Sequence, residues 1–388
     1  MKIAFIGQKG IPAISGGVER HVEDLAVRLA AQGHEVIAYT RPHYTDPLLT
    51  EYKGVRLISL PSIATKSLDA ISHTFLACFD IIRLQVDIIH FHSIGPSSLI
   101  WLAKLLNPRV KIISTFHSRD YFQEKWGLGA RLYLKFGEWM ACRAADTTIA
   151  ISKSLANSAE ADYGRKVEYV PNGVAEVSLK AADKINKWGL VKDNYILTVA
   201  RLIPNKSIHH LIEAYKQLAT DKKLVIVGGS AFTETYETYL KELAADNPDI
   251  IFTDSQSGDI LAELYSNTCL FVQCSELEGL SIALLEAMAY GKGILVSDIP
   301  ENIEAISNTG KTFKVKNTED LLKQLQWCLE EKEVMSNLGR AAQERALTTY
   351  NWDLIVKETE NIYIALLAEK YTSRNTKLLA ISRFWTLI

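Results

Sequence analysis

Hydrophobic and polar residues alternate in blocks along most of the 388-residue chain. Short β-branched runs such as "KIAFIG", "HEVIAYT" and "DIIHFH" are typical of buried parallel strands. Between the first two, "GGVERHVEDLAVRLAAQG" carries one apolar stripe at helical spacing, which Gly33 ends. The pattern restarts in the second half with "YILTVAR", "KLVIVGG" and "LFVQCS". This repetition predicts an α/β fold with parallel sheets covered on both faces.

The length predicts two domains, because one ordinary core does not grow to this size. A polar stretch at 171–189, after a Pro-Asn-Gly turn, separates the two series of strands. We therefore expect two doubly wound, Rossmann-like domains over 1–175 and 176–352. The final helix, about 353–388, follows a complete second domain and is expected to cross back to the first. Ligands bind outside the carboxyl ends of such strands, so we predict a site in the cleft between the domains.

Charge and composition exclude few functions. Lys and Arg number 43 and Asp and Glu 45, a net charge of −2 that gives no signal for nucleic acid. The five cysteines are scattered, which favours reduced, buried side chains. The chain opens directly into a strand, and its apolar runs are too short or too interrupted to span a bilayer. We expect a cytoplasmic protein, with peripheral contact at the inner face of the membrane left open.

A glycine-rich loop, "IGQKGIPAISGGVERH", joins the first strand to the first helix. Backbone amides and a helix N-terminus at such a junction commonly bind phosphate. The dinucleotide fingerprint requires glycine at relative positions one, three and six, where this chain has Gly7, Lys9 and Pro12. That fingerprint is therefore absent. Gly16 and Gly17 remain candidate donors to a diphosphate, and the alternative is a structural turn.

Two cations follow a strand in "LTVARLIPNKSIHHLIEAY", residues 197–215. Arg201 lies at the end of the strand, and Lys206 lies near the start of the next helix. Arginine can bind phosphate oxygens through two hydrogen bonds, and lysine supplies a compact charge. The pattern predicts an anion site beside a helix N-terminus. Solvated surface charges are the alternative.

Two carboxylates lie in a segment that is otherwise typical of protein core, "SELEGLSIALLEAMAYGKGILVSD". Buried ionised carboxylates are costly unless they are paired or hydrogen-bonded. Glu278 falls in the loop after a strand and Glu286 in the following helix, while Gly279 permits a sharp turn between them. Both can then face one cleft, where a carboxylate suits the vicinal hydroxyls of a ribose. Pairing of Glu286 with a buried arginine is the alternative.

"ARLIPNKS" and "EGLSIALLEAMAYGKGILVSD" together resemble the donor half of the retaining GT-B glycosyltransferases of family 4, including the Glu-x7-Glu spacing. "STFHSRDYFQEKWG" and "YVPNGV" extend the resemblance to bacterial polysaccharide and rhamnosyltransferase-like members. It implies two Rossmann-like domains facing across a cleft. It also implies retaining transfer of a hexose or deoxyhexose from a nucleotide-diphosphate sugar, with a UDP-sugar favoured. A glycan or a polyprenyl-pyrophosphate-linked molecule would be the acceptor, in bacterial surface polysaccharide synthesis.

The resemblance also implies roles for the four charged residues. Arg201 and Lys206 would hold the donor diphosphate. Glu286 would accept hydrogen bonds from the ribose hydroxyls, and Glu278 would contact the transferred sugar. Stabilisation of the departing diphosphate by the two cations is the main chemical demand on such an enzyme.

Three further residues follow from the resemblance. Main-chain groups of Gly279 and Leu280 would help to hold sugar and phosphate. His117, after the strand "KIISTFH", would lie beside the donor sugar, although a lone histidine there is otherwise typical of core packing. The chain departs from the family pattern at Ala200 and Ser207, where glycines are usual. Neither change removes a charged group, so activity is still expected.

The acceptor side is less defined by the sequence. Residues 104–143 contain eight Lys and Arg against three Asp and Glu, interleaved with aromatic residues. This predicts either solvated helix faces or a basic surface for anionic lipid headgroups or a lipid-linked pyrophosphate. The apolar segment 63–84 and the tail 377–388 could anchor such a surface, although core packing explains 63–84 equally well.

No Asp-x-Asp motif follows a strand, so we predict no metal site and no separate cofactor. The nucleotide-sugar is then a substrate and the protein's own cations replace a divalent ion. Two rival functions stay open. A nucleotide-sugar epimerase could share the two-domain shape, and the chain could be a non-catalytic partner subunit of a transferase.

Overall fold

Two sheets organise the chain. The computed structural model describes residues 1–122, 126–231 and 233–385, with side chains up to residue 368. The strands of the first sheet are β1 (Lys2–Ile6), β2 (Glu35–Thr40), β3 (Glu51–Tyr52), β4 (Val55–Ser59), β5 (Ile88–His92), β6 (Lys111–Phe116), β7 (Thr147–Ala150) and β8 (Glu168–Tyr169). Their order is β3-β4-β2-β1-β5-β6-β7-β8. Every pair is parallel except β3 with β4.

Helices cover both faces of this first sheet. They are α1 (Gly17–Ala31), α2 (Asp69–Asp80), α3 (Ile94–Ser97), α4 (Ile100–Leu106), α5 (Leu128–Ala144) and α6 (Lys153–Tyr163). Alternate residues of β1 enter different cores, since Ile3 and Phe5 pack with α1 while Ala4 and Ile6 pack with α2 and α4. A strand buried on both faces has no polar side, which explains its continuous apolar run.

The second sheet is entirely parallel. Its strands are β9 (Tyr195–Val199), β10 (Lys223–Val227), β11 (Ile250–Phe252), β12 (Leu270–Gln273), β13 (Gly293–Ser297) and β14 (Lys311–Phe313), in the order β11-β10-β9-β12-β13-β14. Its helices are α7 (Ile208–Gln217), α8 (Glu234–Ala244), α9 (Gly258–Asn267), α10 (Ile282–Ala289), α11 (Pro300–Ile306), α12 (Thr318–Glu330) and α13 (Lys332–Thr349). One buried apolar cluster continues from Phe116 and Ile151 beside the first sheet to Leu280 and Leu284 of the second.

The last helix, α14 (Trp352–Trp385), packs against the first sheet. Ile355 and Tyr363 lie in the same buried cluster as Ile3 of β1. The Tyr363 hydroxyl is 2.6 Å from Nδ1 of His90 on β5. Residues from the two ends of the chain therefore share one core. Among the helices that the structure describes, none is both long enough and apolar enough to cross a membrane.

Candidate functional site

Each sheet contains a point where successive connections leave in opposite directions. In the first sheet this point lies between β1 and β5, and in the second it lies between β9 and β12. The glycine loop follows β1, and His92 ends β5. Arg201 follows β9, and Glu278 follows β12. Ligands of open α/β sheets bind at such switch points, beyond the carboxyl ends of the strands.

The two switch points face one another closely. A Cβ atom at Gly17, the first residue of α1, would lie 3.9 Å from Cδ1 of Ile282 at the start of α10. A Cβ atom at Gly279 would lie 1.7 Å from the carbonyl oxygen of His117. That distance leaves no room for a side chain, so the loop after β12 meets the end of β6 backbone to backbone.

Main-chain groups at the start of α10 are in part available to a ligand. The carbonyl of the buried Leu280 accepts a hydrogen bond of 2.7 Å from Nδ2 of Asn172, which follows the first sheet. Ser281 caps α10, because its Oγ accepts from the amide of Leu284 at 3.3 Å. The amides of Gly279 and Leu280 donate to no acceptor within the described parts of the chain. The N-terminus of α10 and these two free amides are therefore suited to bind an anion.

Several amides of the glycine loop donate to side chains of the first domain. Four of them donate to the carboxylates of Glu19 and Glu23 and to the hydroxyl of Tyr44. Gly16 has a φ of 101°, in the region that favours glycine, and a Cβ there would lie 2.1 Å from Oε2 of Glu19. The amides of Gly16 and Gly17 have no acceptor within the residues described. These two predicted donors are thus available to a ligand.

Lys206 and Glu278 meet in an ion pair between Nζ and Oε1. Their side chains are only 13% and 10% exposed. The lysine comes from the short 3-10 helix Pro204–Lys206, and the glutamate comes from the loop after β12. An ammonium group has three N–H donors, so two remain for another acceptor.

Arg201 is held by its backbone and not by its side chain. The adjacent Leu202 amide donates to the carbonyl of Gly229 at 2.9 Å. A Cβ at Gly228 would lie 1.8 Å from the carbonyl oxygen of Ala200, so the two loops touch. The Arg201 side chain is exposed and forms no ion pair or hydrogen bond with any residue the structure describes. Its guanidinium is free to bind an anion.

Glu276 is a site residue that the sequence reasoning missed. Its Oε1 accepts from the Ser207 hydroxyl at 2.6 Å, and its Oε2 lies 2.6 Å from Nζ of Lys316. Its amide donates to the carbonyl of Asn205 at 2.9 Å. Burial alone would raise the pKa of Glu276, but the hydrogen bonds from Lys316 and Ser207 lower it below its usual value. Glu276 therefore ties the Lys206 turn to the Glu278 loop. The signal in the sequence that could have identified Glu276 is its position two residues before Glu278, in the same loop.

Glu286 lies in the second turn of α10. Burial raises the pKa of its carboxyl group, and the positive charge of Arg20 and a hydrogen bond from Tyr265 act in the opposite direction. Arg20 belongs to α1 and is itself 51% exposed, in an ion pair of 3.2 Å with Asp24. Glu286 thus faces the first sheet's helix, without a buried arginine bound to it among the residues described.

His117 belongs to a cluster of buried imidazoles. Its Nε2 lies 3.0 Å from Nδ1 of His92, and its ring centroid is 5.0 Å from that of His21. Burial lowers the pKa of His21 to about 4 and lowers those of His92 and His117 well below the usual value. The three rings are therefore neutral at pH 7.

The same three histidines have the donor atoms of a metal site. Their ligand atoms lie within 4.8 Å of one another, which no other group of this kind does in the described chain. Metal-binding histidines usually donate their second N–H to a carboxylate or carbonyl. Nδ1 of His21 and Nε2 of His92 have no hydrogen-bond partner in the described structure. The His21 side chain forms a hydrogen bond with Asn172, which leaves these two nitrogen atoms as the ones open to a ligand. The three histidines therefore have the donor set of a metal site as well as that of a hydrogen-bonded group around His117.

Comparison with known families agrees with this two-part arrangement. Residues 15–176 match the family described as Glycosyltransferase Family 4. Residues 181–345 match the family described as Glycosyl transferases group 1. The chain is a family 4 glycosyltransferase of the GT-B type. The predicted fold, two Rossmann-like α/β domains, is confirmed, and so is the expected enzyme class.

Individual glycosyltransferases are similar over different lengths. An uncharacterized glycosyltransferase of Methanocaldococcus jannaschii is 27% identical over 396 residues, 94% of this chain and 98% of its own. The N,N'-diacetylbacillosaminyl-diphospho-undecaprenol alpha-1,3-N-acetylgalactosaminyltransferase of Campylobacter jejuni is 31% identical over 174 residues, 44% of this chain and 45% of its own. Anabaena Alr3699/HepE, solved in complex with UDP-glucose, has a TM-score of 0.79 at 18% identity, covering 94% of this chain and 100% of that one.

Proposed function

We propose that this glycosyltransferase moves a hexose or deoxyhexose from a UDP-sugar to a polyprenyl-pyrophosphate-linked or glycan acceptor, with retention, in bacterial surface polysaccharide synthesis. The observation that carries the proposal is the meeting of Lys206 with Glu278 at the switch point of the second sheet, where the same loop contacts His117 at the end of β6. Similarity to a protein that binds UDP-glucose supports the donor. Similarity to an enzyme named for an undecaprenol-linked substrate supports the acceptor.

The donor diphosphate is assigned to the cationic side of the site. Arg201 offers an unpaired guanidinium, and Lys206 offers the two N–H donors that Glu278 does not use. The amides of Gly279 and Leu280, with those of Gly16 and Gly17, complete a set of donors from both domains. Charge develops on the diphosphate as the sugar leaves, so preorganised donors there lower the barrier.

The sugar and ribose are assigned to the acidic side. Glu286 accepts from the ribose hydroxyls, because its carboxylate lies between the two helices and has no ion pair among the described residues. Glu278 contacts the transferred sugar while it orients Lys206. His117, neutral and buried, donates or accepts one hydrogen bond beside the sugar.

The chemistry requires no divalent metal and no covalent nucleophile. The acceptor attacks from the face that the diphosphate leaves, which retains the anomeric configuration. We assign acceptor recognition to residues 1–175 and donor binding to 176–352. The reaction then takes place in the cytoplasm, at the inner face of the membrane.

A thermal-shift screen of nucleotides and UDP-sugars tests the donor assignment. A preferred UDP-sugar should raise the melting temperature most, because ligand binding stabilises the folded state by mass action. No shift with any nucleotide-sugar would overturn the proposal. Release of UDP with each candidate acceptor then measures turnover, and a chelator should leave the rate unchanged. Formation of an epimerised nucleotide-sugar without acceptor would indicate the epimerase instead.

A further inference from the structure

The helices on one side of the first sheet expose large apolar side chains. Phe75 and Phe79 of α2 are each 45% exposed, Trp101 of α4 is 49% exposed, and Phe136 and Trp139 of α5 are 43% and 47% exposed. Nine of the 22 exposed large apolar side chains of the described structure lie on these three helices. We call the outer surface of α2, α4 and α5 the apolar face. Patches of this kind on a soluble fold mark interaction sites.

The three helices of the apolar face lie side by side, and their exposed side chains are not needed for the core. Helix α2 packs on α4, and α4 packs on α5. The rings of Phe75 and Phe79 lie 5.0 Å apart and those of Phe136 and Trp139 lie 6.0 Å apart. The inner sides of the same helices fill the core with other residues, Ala77, Ala103 and Met140 among them.

One stripe of the apolar face runs along α5. Leu128, Leu132, Phe136 and Trp139 follow at intervals of four, four and three residues, which places them on one side of the helix. Leu128 and Leu132 are 77% and 60% exposed. Few surface helices of a globular protein direct such a stripe into water.

The charges around this stripe are basic. On α4 and α5 the exposed charged residues are Arg131, Lys135 and Arg143, while Lys104 is half-buried with its Nζ 3.4 Å from Asp146. The single acid of these two helices, Glu138, is fully buried beside Arg119 at 3.1 Å. A second copy of this chain would present the same positive charge, so self-association through this face is opposed. Apolar side chains bordered by Lys and Arg match the interface of an anionic bilayer.

We propose that the apolar face docks on an anionic phospholipid bilayer. The rings of Phe136, Trp139 and Trp101 enter the boundary between headgroups and acyl chains, and the basic residues contact lipid phosphates. The docking sites lie near the cleft, because α5 follows β6, whose carboxyl end carries His117. The Leu128 end of α5 is thus the end closest to the site. The inference rests on the proposed function in one respect, namely that docking would let a lipid-linked acceptor reach His117 from the membrane.

Vesicle co-sedimentation of the full chain, without donor or acceptor, tests the docking. We expect binding to phosphatidylcholine vesicles containing about one-third phosphatidylglycerol, weaker binding to pure phosphatidylcholine, and a decrease with added salt. Replacing Leu132 and Phe136 together by Ser should weaken binding about tenfold or more, since binding scales with the apolar area inserted. The matched control replaces Leu354 and Ile364 of α14 by Ser. Both are 51% exposed on the other side of the same sheet, and this variant should bind like the wild type.

A second pair of substitutions separates charge from insertion. Arg131→Gln with Lys135→Gln should lose about fivefold in affinity per residue for anionic vesicles and little for neutral ones. Circular dichroism and an unchanged melting temperature would show that each variant is folded. Absence of vesicle binding by the wild type would overturn the docking, as would equal losses in the α14 control. A concentration-dependent dimer that the Leu132 and Phe136 substitutions abolish, with no vesicle binding, would assign the face to a second copy.

The outcome is distinct from that of the proposed function. The thermal shift with UDP-sugars is measured on the same samples and does not depend on lipid. A retained shift without vesicle binding would overturn the docking alone. Vesicle binding without any nucleotide-sugar shift would overturn the donor assignment and leave the docking intact.

Discussion

The carbonyl oxygen of His117 occupies the space that a side chain at Gly279 would need. A Cβ atom at Gly279 would lie 1.7 Å from that oxygen and 3.0 Å from Cδ1 of Ile151. No rotamer relieves this overlap, because the nearest atom belongs to the main chain. The contact therefore fixes how closely the donor loop approaches the strand that carries the candidate sugar-site histidine.

Gly279→Ala should separate the loop from His117 and disturb both partners of the donor site. We expect turnover to fall about tenfold or more and the free energy of unfolding to fall by about 1–3 kcal/mol, the cost of overpacking. Donor titration and urea unfolding measure the two effects. Gly129→Ala, in α5 where nothing lies within 4 Å, is the control and should not destabilise the protein. Wild-type turnover in Gly279→Ala would contradict the importance of this contact.

Lys206→Ala should lower turnover at saturating donor by about 10²-fold, the scale of losing one preorganised charge at a leaving group. It also leaves Glu278, only 10% exposed, without its partner. Lys216→Ala serves as the control, because that lysine is a surface residue of α7 whose ion pair, with Asp246, does not involve the site. Near-normal turnover in Lys206→Ala would exclude a role at the diphosphate.

Glu286→Gln should weaken donor binding more than turnover, since the ribose is bound equally in ground and transition states. We expect the donor KM to rise about tenfold. Thermal shifts with UDP and 2′-deoxy-UDP give a sharper measurement. The wild type should prefer UDP, and the variant should discriminate less between the two, because the acceptor of the 2′-hydroxyl has changed. If the wild type and the variant prefer UDP over 2′-deoxy-UDP to the same degree, Glu286 does not bind the 2′-hydroxyl.

The buried histidines predict a loss of stability in mild acid. The pKa of His21 is about 4 in the folded state and about 6.5 when unfolded, so protonation favours unfolding as the pH falls from 6.5 towards 4. The expected loss at pH 5 is about 2 kcal/mol for one such group. Melting temperatures between pH 7.5 and 4.5 should fall less steeply in His21→Gln. Equal slopes in the wild type and in His21→Gln would refute the prediction.

Ser207 combines a strained backbone with a useful hydroxyl. Its φ is 51°, in the left-handed region, and its Oγ donates to Glu276 at 2.6 Å. Ser207→Ala loses the hydrogen bond and keeps the strain, whereas Ser207→Gly loses the bond but relaxes the backbone. Urea unfolding should therefore show the Gly variant about 1 kcal/mol more stable than the Ala variant. The opposite order would show that backbone strain at Ser207 is negligible.

Local patterns were sufficient to predict the fold and much of the candidate site. The apolar stripe of α1 and the buried parallel strands follow from spacing alone. The pattern predicts a loop at Glu278 and a helix at Glu286, and the structure has both. What the sequence could not reveal depends on tertiary contacts. Examples are Glu19, which accepts a hydrogen bond from an amide of the glycine loop, and Arg20, whose charge acts on Glu286 from the other domain.

The segment 63–84 shows why composition alone was ambiguous. Its helix α2 is apolar around most of its circumference, which predicts both a core face and an anchor. The structure contains both, because Ala77 and Cys78 are buried while Phe75 and Phe79 are exposed. The tail 377–388, the other predicted anchor, lies outside the residues whose side chains are described. Residues 123–125, within the stretch "STFHSRDYFQEKWG", lie outside the described residues as well.

Ile355 and Tyr363 of α14 pack in the same core as Ile3 of β1, so the amino-terminal lobe is built from two segments that are far apart in the sequence. The ribosome synthesises β1 before the whole donor half and α14 after it, so the core of this lobe stays incomplete while the donor half is being made. Nascent chains should therefore keep an open apolar surface for most of translation, and a stop codon before Trp352 would leave that surface uncovered for good.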